Sequence, residues 1–297
     1  MRTPNFFIIG GQRCGTTSLR RYLADHSRIF MCENPPEPRH FATDFVTSRS
    51  GRLSRAAYLK AFSGAGEQHL AVGEASPTYL PSAVAIANIL QFNPEAKFIV
   101  LLRPQIDMAR SLHARFFLDG FENVADFEEA WRLQSARRAG RLVPKACFEP
   151  KHLQYGDFCK LGEQLERLYQ QVPEERVLVI FSREFRTQTQ AVYERILSFL
   201  GVPSDGRQHF PIYEENRQRR SELLKRGLLT IDRLKIRLGM KSFGLGIANA
   251  LDNLNERKEA RNPLRPDFYA ELVEYFRADV DKLSQLTHRD LSDWLRS

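Results

Sequence analysis

"FFIIGGQRCGTTSLRRYLADHSRIF", residues 6–30, decides how this chain is read. Phe6 to Ile9 are apolar and end at Gly10, which predicts a short buried strand. Gly10, Gly11 and Gly15 then make a glycine-rich turn. Thr16–His26 follows with Leu19, Tyr22 and Leu23 at helical spacing. A strand that feeds such a turn, with a helix behind it, aims backbone N–H groups at one point. The helix adds its own unsatisfied N–H groups and the positive end of its dipole. The stretch reads as a place for an anion.

Working outward, strands and helices alternate. Ala71–Glu74 predicts a short strand, Ser82–Gln91 a helix, and Lys97–Leu102 (KFIVLL) a strand buried on both faces. Ile106–Leu118 predicts a helix, Leu161–Gln171 an amphipathic helix, and Val177–Phe181 (VLVIF) a second buried strand. Ala191–Leu200 is a helix stopped by Gly201 and Pro203. This order implies an α/β fold, a three-layer parallel sheet flanked by helices. From about 217 to 261 the pattern turns basic and helical with no convincing strand, and Tyr269–Leu286 is a further amphipathic helix. The expectation is one domain over 1–297, with a helical C-terminal part and the basic segment as an insertion.

The chain has 297 residues, enough for one large domain, and a formal charge of +8. A basic balance favours anionic partners: nucleotides, polyanions, sulfated or phosphorylated substrates, acidic membrane surfaces. The Leu face and basic flanks of 217–261 could also meet a membrane surface or an acidic or lipid-like acceptor, although packing on the sheet is the first expectation. Cys14, Cys32, Cys147 and Cys159 lie far apart with no zinc spacing, so free thiols are expected. No apolar run reaches the ~20 residues of a membrane span. With Met1 as the start, the expected location is the cytoplasm.

The nucleoside-triphosphate loop follows G-x-x-x-x-G-K-[ST]. Gly10 and Gly15 keep its spacing, Thr16 stands in place of the lysine, and Thr17 keeps the hydroxyl. The cation has moved inside the loop, to Arg13. KFIVLL ends in Arg103 and VLVIF in Ser182, so neither buried strand delivers a carboxylate for Mg²⁺. The loop reads as built for a phosphate-like group without a metal.

With those residues in view, G-x-x-[KR]-x-G-T-T-S-L resembles the 5′-phosphosulfate loop of sulfotransferases that use 3′-phosphoadenosine-5′-phosphosulfate (PAPS), in the bacterial and heparan-sulfate-like branch. The resemblance implies that Arg13, Cys14, Gly15, Thr16, Thr17 and Ser18 cradle the 5′-phosphate and the sulfonate. FIVLLRPQIDMARS resembles the family's 3′-phosphate site, which assigns Arg103 and Ser111 to that phosphate; here the proline comes early, at Pro104, and Met108 replaces an arginine. PPEPRHFATDF, residues 35–45, is similar to K-E-P-H-[FY]-F-x-[TS]-D, with Arg39 in place of the histidine. In that motif the glutamate is general base, so Glu37 is the first catalytic candidate beside Arg13, and His40 the second. GEASPTYL, residues 73–80, resembles a border of the acceptor site, where Glu74 could orient the acceptor. NERKEARNPLRPDFY resembles a basic loop that closes over the nucleotide, with Arg257 and Lys258 the best matches.

The implied reaction moves the sulfonate of PAPS to a hydroxyl, or second to an amine, and leaves adenosine 3′,5′-bisphosphate without a metal. The acceptor class stays open among small molecules, saccharides and lipids, and nucleic acid is not expected. Two rival readings are a kinase or nucleoside triphosphatase with a degenerate loop, and a non-catalytic nucleotide- or polyanion-binding scaffold.

Overall fold

The structure, a computed structural model, describes residues 2–46, 52–211, 213, 218–219, 256–257 and 263–296. The chain divides into two compact units, Met1–Tyr213 with Leu264–Ser297, and Glu214–Pro263.

In the first unit the elements run β1 (Phe6–Ile8), α1 (Thr16–Ala24), β2 (Ile29–Met31), α2 (Arg55–Lys60) and β3 (Ala71–Ala75). Then come α3 (Ala85–Phe92), β4 (Lys97–Leu102), α4 (Gln105–Asp119), α5 (Phe127–Arg132) and α6 (Gln134–Arg138). They are followed by α7 (Tyr155–Phe158), α8 (Leu161–Tyr169), β5 (Val177–Phe181), α9 (Ser182–Thr187) and α10 (Thr189–Leu200). The strands form one parallel sheet in the order β2-β3-β1-β4-β5, flanked by helices, as the alternation predicts. Outside the basic segment 217–261, every long helix read from the sequence is present within a few residues of its expected ends. The short strand β2 and helices α2, α5, α6, α7 and α9 were not anticipated.

Apolar content explains the order across the sheet. β4 is wholly buried from Phe98 to Leu102 and sits inside, paired with β1 and β5. β5 is an edge strand: Leu178, Val179 and Phe181 are only half-buried, which corrects the expectation of a buried strand. Gly73 in β3 is required by packing, because a Cβ there would lie 2.3 Å from the Phe6 ring.

The final helix, α11 (Pro266–Thr287), returns to the first unit and buries Leu272, Phe276 and Leu283. Its Asp279 carboxylate accepts from the Gly162 and Glu163 amides, both at 2.9 Å, and so caps the start of α8. Gln105 Nε2 on α4 donates to the same carboxylate at 3.1 Å.

The basic segment expected to be helical falls in the second unit. Its described residues form two short strands, β6 (Gln218–Arg219) and β7 (Glu256–Arg257), paired antiparallel. At these four positions strand replaces the expected helix; the rest of 217–261, including the Leu face, lies outside the described residues.

Candidate functional site

β1 and β4 are neighbours, yet the chain leaves β1 toward β2 and β3 and leaves β4 toward β5. The order reverses between them, and such a reversal opens a crevice at the carboxyl ends of the strands. Both anion-binding stretches read from the sequence start there.

The first is the turn after β1. Its backbone continues the ladder with β4, Ile9 N donating to Ile99 O and Gly11 N to Leu101 O, both at 2.9 Å. That close pass needs glycine, since a Cβ on Gly10 would lie 2.0 Å from Leu101 N. Arg13 (φ 64°) and Gly15 (φ 104°) are both left-handed, and they turn the chain back into α1. α1 then starts without a side-chain cap and without an acidic residue in its first turn, so its positive end is left to a partner that is not a protein carboxylate in that turn. Thr16 is buried, while Thr17 and Ser18 are half-buried. The Cys14 thiol lies inside the loop, and burial pushes it up to about 12 against the lowering pull of Arg103 and Arg13. It is a packed thiol rather than a nucleophile.

The second stretch meets the first directly. Arg103 follows β4, and its Nη1 donates to the Arg13 carbonyl at 3.0 Å. Arg13 Nε donates to Ser111 Oγ, one and a half turns into α4, at 3.3 Å. Ser111 is buried. Arg103 Nε is buried and makes no hydrogen bond among the described residues. A buried guanidinium N–H left in this way fits an anionic oxygen that is not part of the protein. Met108 is 1% exposed and packs beneath Gly11, where a Cβ would meet its sulfur at 3.2 Å; it is a wall of the loop, not an anion ligand.

GEASPTYL lies beside the loop, where Gln12 Nε2 reaches Thr78 Oγ1 at 3.5 Å, and Ser76 of the same stretch accepts from the Arg39 amide of PPEPRHFATDF at 3.0 Å. Glu37 is half-buried, and Arg39 grips its Oε2 through Nε at 3.1 Å and through Nη2. The His40 ring stacks on Tyr58 with centroids 4.5 Å apart. Its Nδ1 donates to Leu53 O at 3.1 Å, since a carbonyl can only accept, and burial first of all lowers its pKa.

Glu74 does not stand where the sequence suggested. It is completely buried at 0% exposure, so it cannot orient an acceptor by contact. Its carboxylate accepts from Tyr58 OH at 2.7 Å, Ser76 Oγ at 2.9 Å and Tyr79 OH at 3.0 Å. Burial pushes it up to about 7 against those three bonds.

Sequence reading missed several polar groups. His152, in a 3-10 turn at Pro150–Leu153, is buried against Phe116 and Phe158 with its Nε2 unpartnered among the described residues. Burial first, and then the charge of Arg39, push it down to about 3. Glu122 and Arg137 form a fully buried bidentate pair, both contacts 2.6 Å, and Tyr155 OH donates to the same carboxylate at 2.7 Å. No short motif marks these residues, because their partners come from three elements brought together only by folding. Arg257 lies in β7 of the second unit, and Lys258 lies outside the described residues. All four cysteines are free thiols. No helix among the described residues is long and apolar enough to cross a membrane.

Comparison with known proteins places this geometry in context. Residues 4–206 match the profile of a group described as the "Sulfotransferase family". A crystal structure of a sulfotransferase from Alicyclobacillus acidocaldarius is 25% identical and superposes over 100% of both chains with a TM-score of 0.74. The human bifunctional heparan sulfate N-deacetylase/N-sulfotransferase 3 is 28% identical over 210 residues, 68% of this chain and 22% of that protein. The mouse counterpart is 27% identical over 312 residues, 99% of this chain and 31% of its own length. The chain thus spans less than a third of the length of these curated relatives.

Proposed function

The chain belongs to the sulfotransferase family, and from that premise we propose that it is an enzyme that moves the sulfonate of PAPS to an acceptor hydroxyl, with an amine the second choice. The observation that carries this reading is the meeting of the two stretches: Arg13 bonds Ser111 at 3.3 Å, and Arg103, with its buried unpartnered Nε, bonds the Arg13 carbonyl. Both stretches lie at the carboxyl ends of the neighbouring strands β1 and β4, which supports a nucleotide bound across them.

In this reading the backbone of Cys14–Ser18 and the start of α1 hold the 5′-phosphate and sulfonate through oriented N–H donors. Arg103 and Ser111 hold the 3′-phosphate. When bound, PAPS supplies an activated sulfonate whose leaving group is a phosphate oxygen. Arg13 stabilises charge gathering on that oxygen; a guanidinium gives up a proton too reluctantly to be an acid. Glu37 removes the acceptor proton, which an alcohol must lose to be a useful nucleophile. His40 is the weaker candidate, because its ring is stacked on Tyr58 and Nδ1 is engaged. The acceptor is a small molecule, saccharide or lipid. The relatives named for heparan sulfate favour a saccharide.

Two measurements test the reading. Thermal unfolding should rise with PAPS or adenosine 3′,5′-bisphosphate in the presence of a chelator. A rise with ATP·Mg²⁺ alone would favour a kinase or triphosphatase instead. Release of the bisphosphate from PAPS should then increase with a hydroxyl acceptor from a panel of phenols, oligosaccharides and lipids. Tight nucleotide binding with no release, even to water, would mark a non-catalytic scaffold.

A further inference from the structure

We propose that Glu74 is a positioning residue that sets the geometry of the Glu37 loop from beneath it, an inference that rests on Glu37 being the base. A carboxylate oxygen accepts, so each hydroxyl that points its hydrogen at Glu74 spends its one hydrogen there. Tyr58, Ser76 and Tyr79 all do so. Their lone pairs and rings are thereby turned outward, and each bears on the loop at a different, consecutive residue.

Ser76 Oγ accepts the Arg39 amide at 3.0 Å. Tyr58 presents its ring to His40, with planes 11° apart. Tyr79 OH accepts the Phe41 amide at 3.4 Å, and its ring meets Phe41 with centroids 5.9 Å apart. One buried acid therefore addresses Arg39, His40 and Phe41 in turn. The hold on Arg39 matters most. Its backbone is left-handed at φ 51°, a conformation that costs a non-glycine residue free energy and persists only where surroundings impose it. The Ser76 bond is part of that imposition. It aims the guanidinium back at Glu37, two residues earlier, where Nε and Nη2 both engage Oε2. The path is Glu74 to Ser76 to the Arg39 backbone, then from the Arg39 side chain to Glu37. None of its first three members needs to touch the acceptor.

Two readouts test this, one of them independent of activity. In hydrogen exchange, Ser76→Ala should speed the Arg39 amide at least tenfold while the β1 amides at Phe7 and Ile8 stay unchanged. Glu74→Gln should speed both Arg39 and Phe41, because an amide group donates where the carboxylate accepted. General loosening would speed all of them together, and no change at Arg39 would overturn the proposal. For turnover, bisphosphate release from PAPS is followed with water as acceptor. Ser76→Ala should lower release about tenfold, with affinity for adenosine 3′,5′-bisphosphate unchanged within about twofold. Ser76→Thr, which keeps the hydroxyl, should restore most of it. In a Glu37→Gln background Ser76→Ala should cost nothing further. If Glu37→Gln alone leaves release normal, Glu37 is not the base and the function reading needs another residue, a result visible before the double variant is made. If Glu37→Gln is severely impaired and Ser76→Ala is harmless, or costs the same in both backgrounds, the base reading stands and the positioning role of Glu74 falls.

Discussion

Glu74→Gln should make the protein's stability less dependent on pH, and by a calculable amount. An ordinary glutamate titrates at 4.5, and burial holds Glu74 at about 7 in the folded chain. Below 4.5 both states carry the proton, and the group contributes nothing to the pH dependence. Between 4.5 and 7 the folded state keeps a proton that the unfolded state releases, so stability falls as pH rises through this window. The full loss is roughly 3 kcal/mol, of which about 2.5 kcal/mol falls between pH ~5 and pH ~8. A neutral glutamine has no such term. Unfolding in urea at those two pH values, for both proteins, gives four free energies. Their double difference should favour the variant by about 2.5 kcal/mol at the higher pH. Glutamine will also leave one of the three hydroxyl donors badly paired, but that cost is the same at both pH values and cancels. Parallel stability profiles within about 0.5 kcal/mol would mean that Glu74 titrates normally, and that the burial argument for it is wrong.

Three further outcomes follow from the site and its support. Arg13→Ala should cut turnover on the order of 100-fold and bisphosphate affinity far less, measured by single-turnover release and calorimetry; equal losses would reduce Arg13 to an anchor. Glu37→Gln should keep bisphosphate affinity and lose about 10²- to 10⁴-fold in turnover, and near-normal rates would move the base to another group. Arg137→Met should destabilise the fold by about 3–5 kcal/mol in urea unfolding, because Glu122 would remain fully buried without its cation; a loss under about 1 kcal/mol would show that Tyr155 OH and the Asn123 and Val124 amides, which also donate to this carboxylate, suffice.

What the sequence disclosed follows a physical line. The sheet was legible because continuous apolar runs and glycine turns are local signals, and KFIVLL between two helical patterns admits few alternatives. β5 was misjudged because VLVIF is as apolar as a central strand; only the topology says that it is an edge. β2 and the short helices escaped because three to six residues carry too little periodicity to stand out. Around the candidate site, the places of Gly10, Gly15 and Arg103 could be read because they are set by backbone geometry and by a strand end. Glu74 could not. As a letter beside Ser-Pro it looked available to an acceptor, and its burial depends on Tyr58, which lies 16 residues away and is brought to it only by folding. The Glu122–Arg137 pair was hidden in the same way, because charged letters in a loop and a helix give no hint that they will be enclosed together.

The two loops proposed to carry the chemistry each hold a left-handed arginine. Of the four non-glycine residues with left-handed backbone among those described, two are Arg13 and Arg39. Each is an arginine in the middle of its motif, each costs conformational free energy, and each is held by a contact from another element: Arg13 by Arg103 and Ser111, Arg39 by Ser76. Beside Arg13 the start of α1 has no side-chain cap and no acidic residue in its first turn, so its positive end favours an anion, while Arg103 is already partly balanced by Asp107 at 3.5 Å. A fold selected for stability alone would relax both features, by placing glycine at 13 and a carboxylate in the first turn of α1. Both features are accounted for if the strain and the unbalanced helix end are offset when a nucleotide with an anion at each end binds, so that ligand affinity and apo stability trade against each other at the same residues.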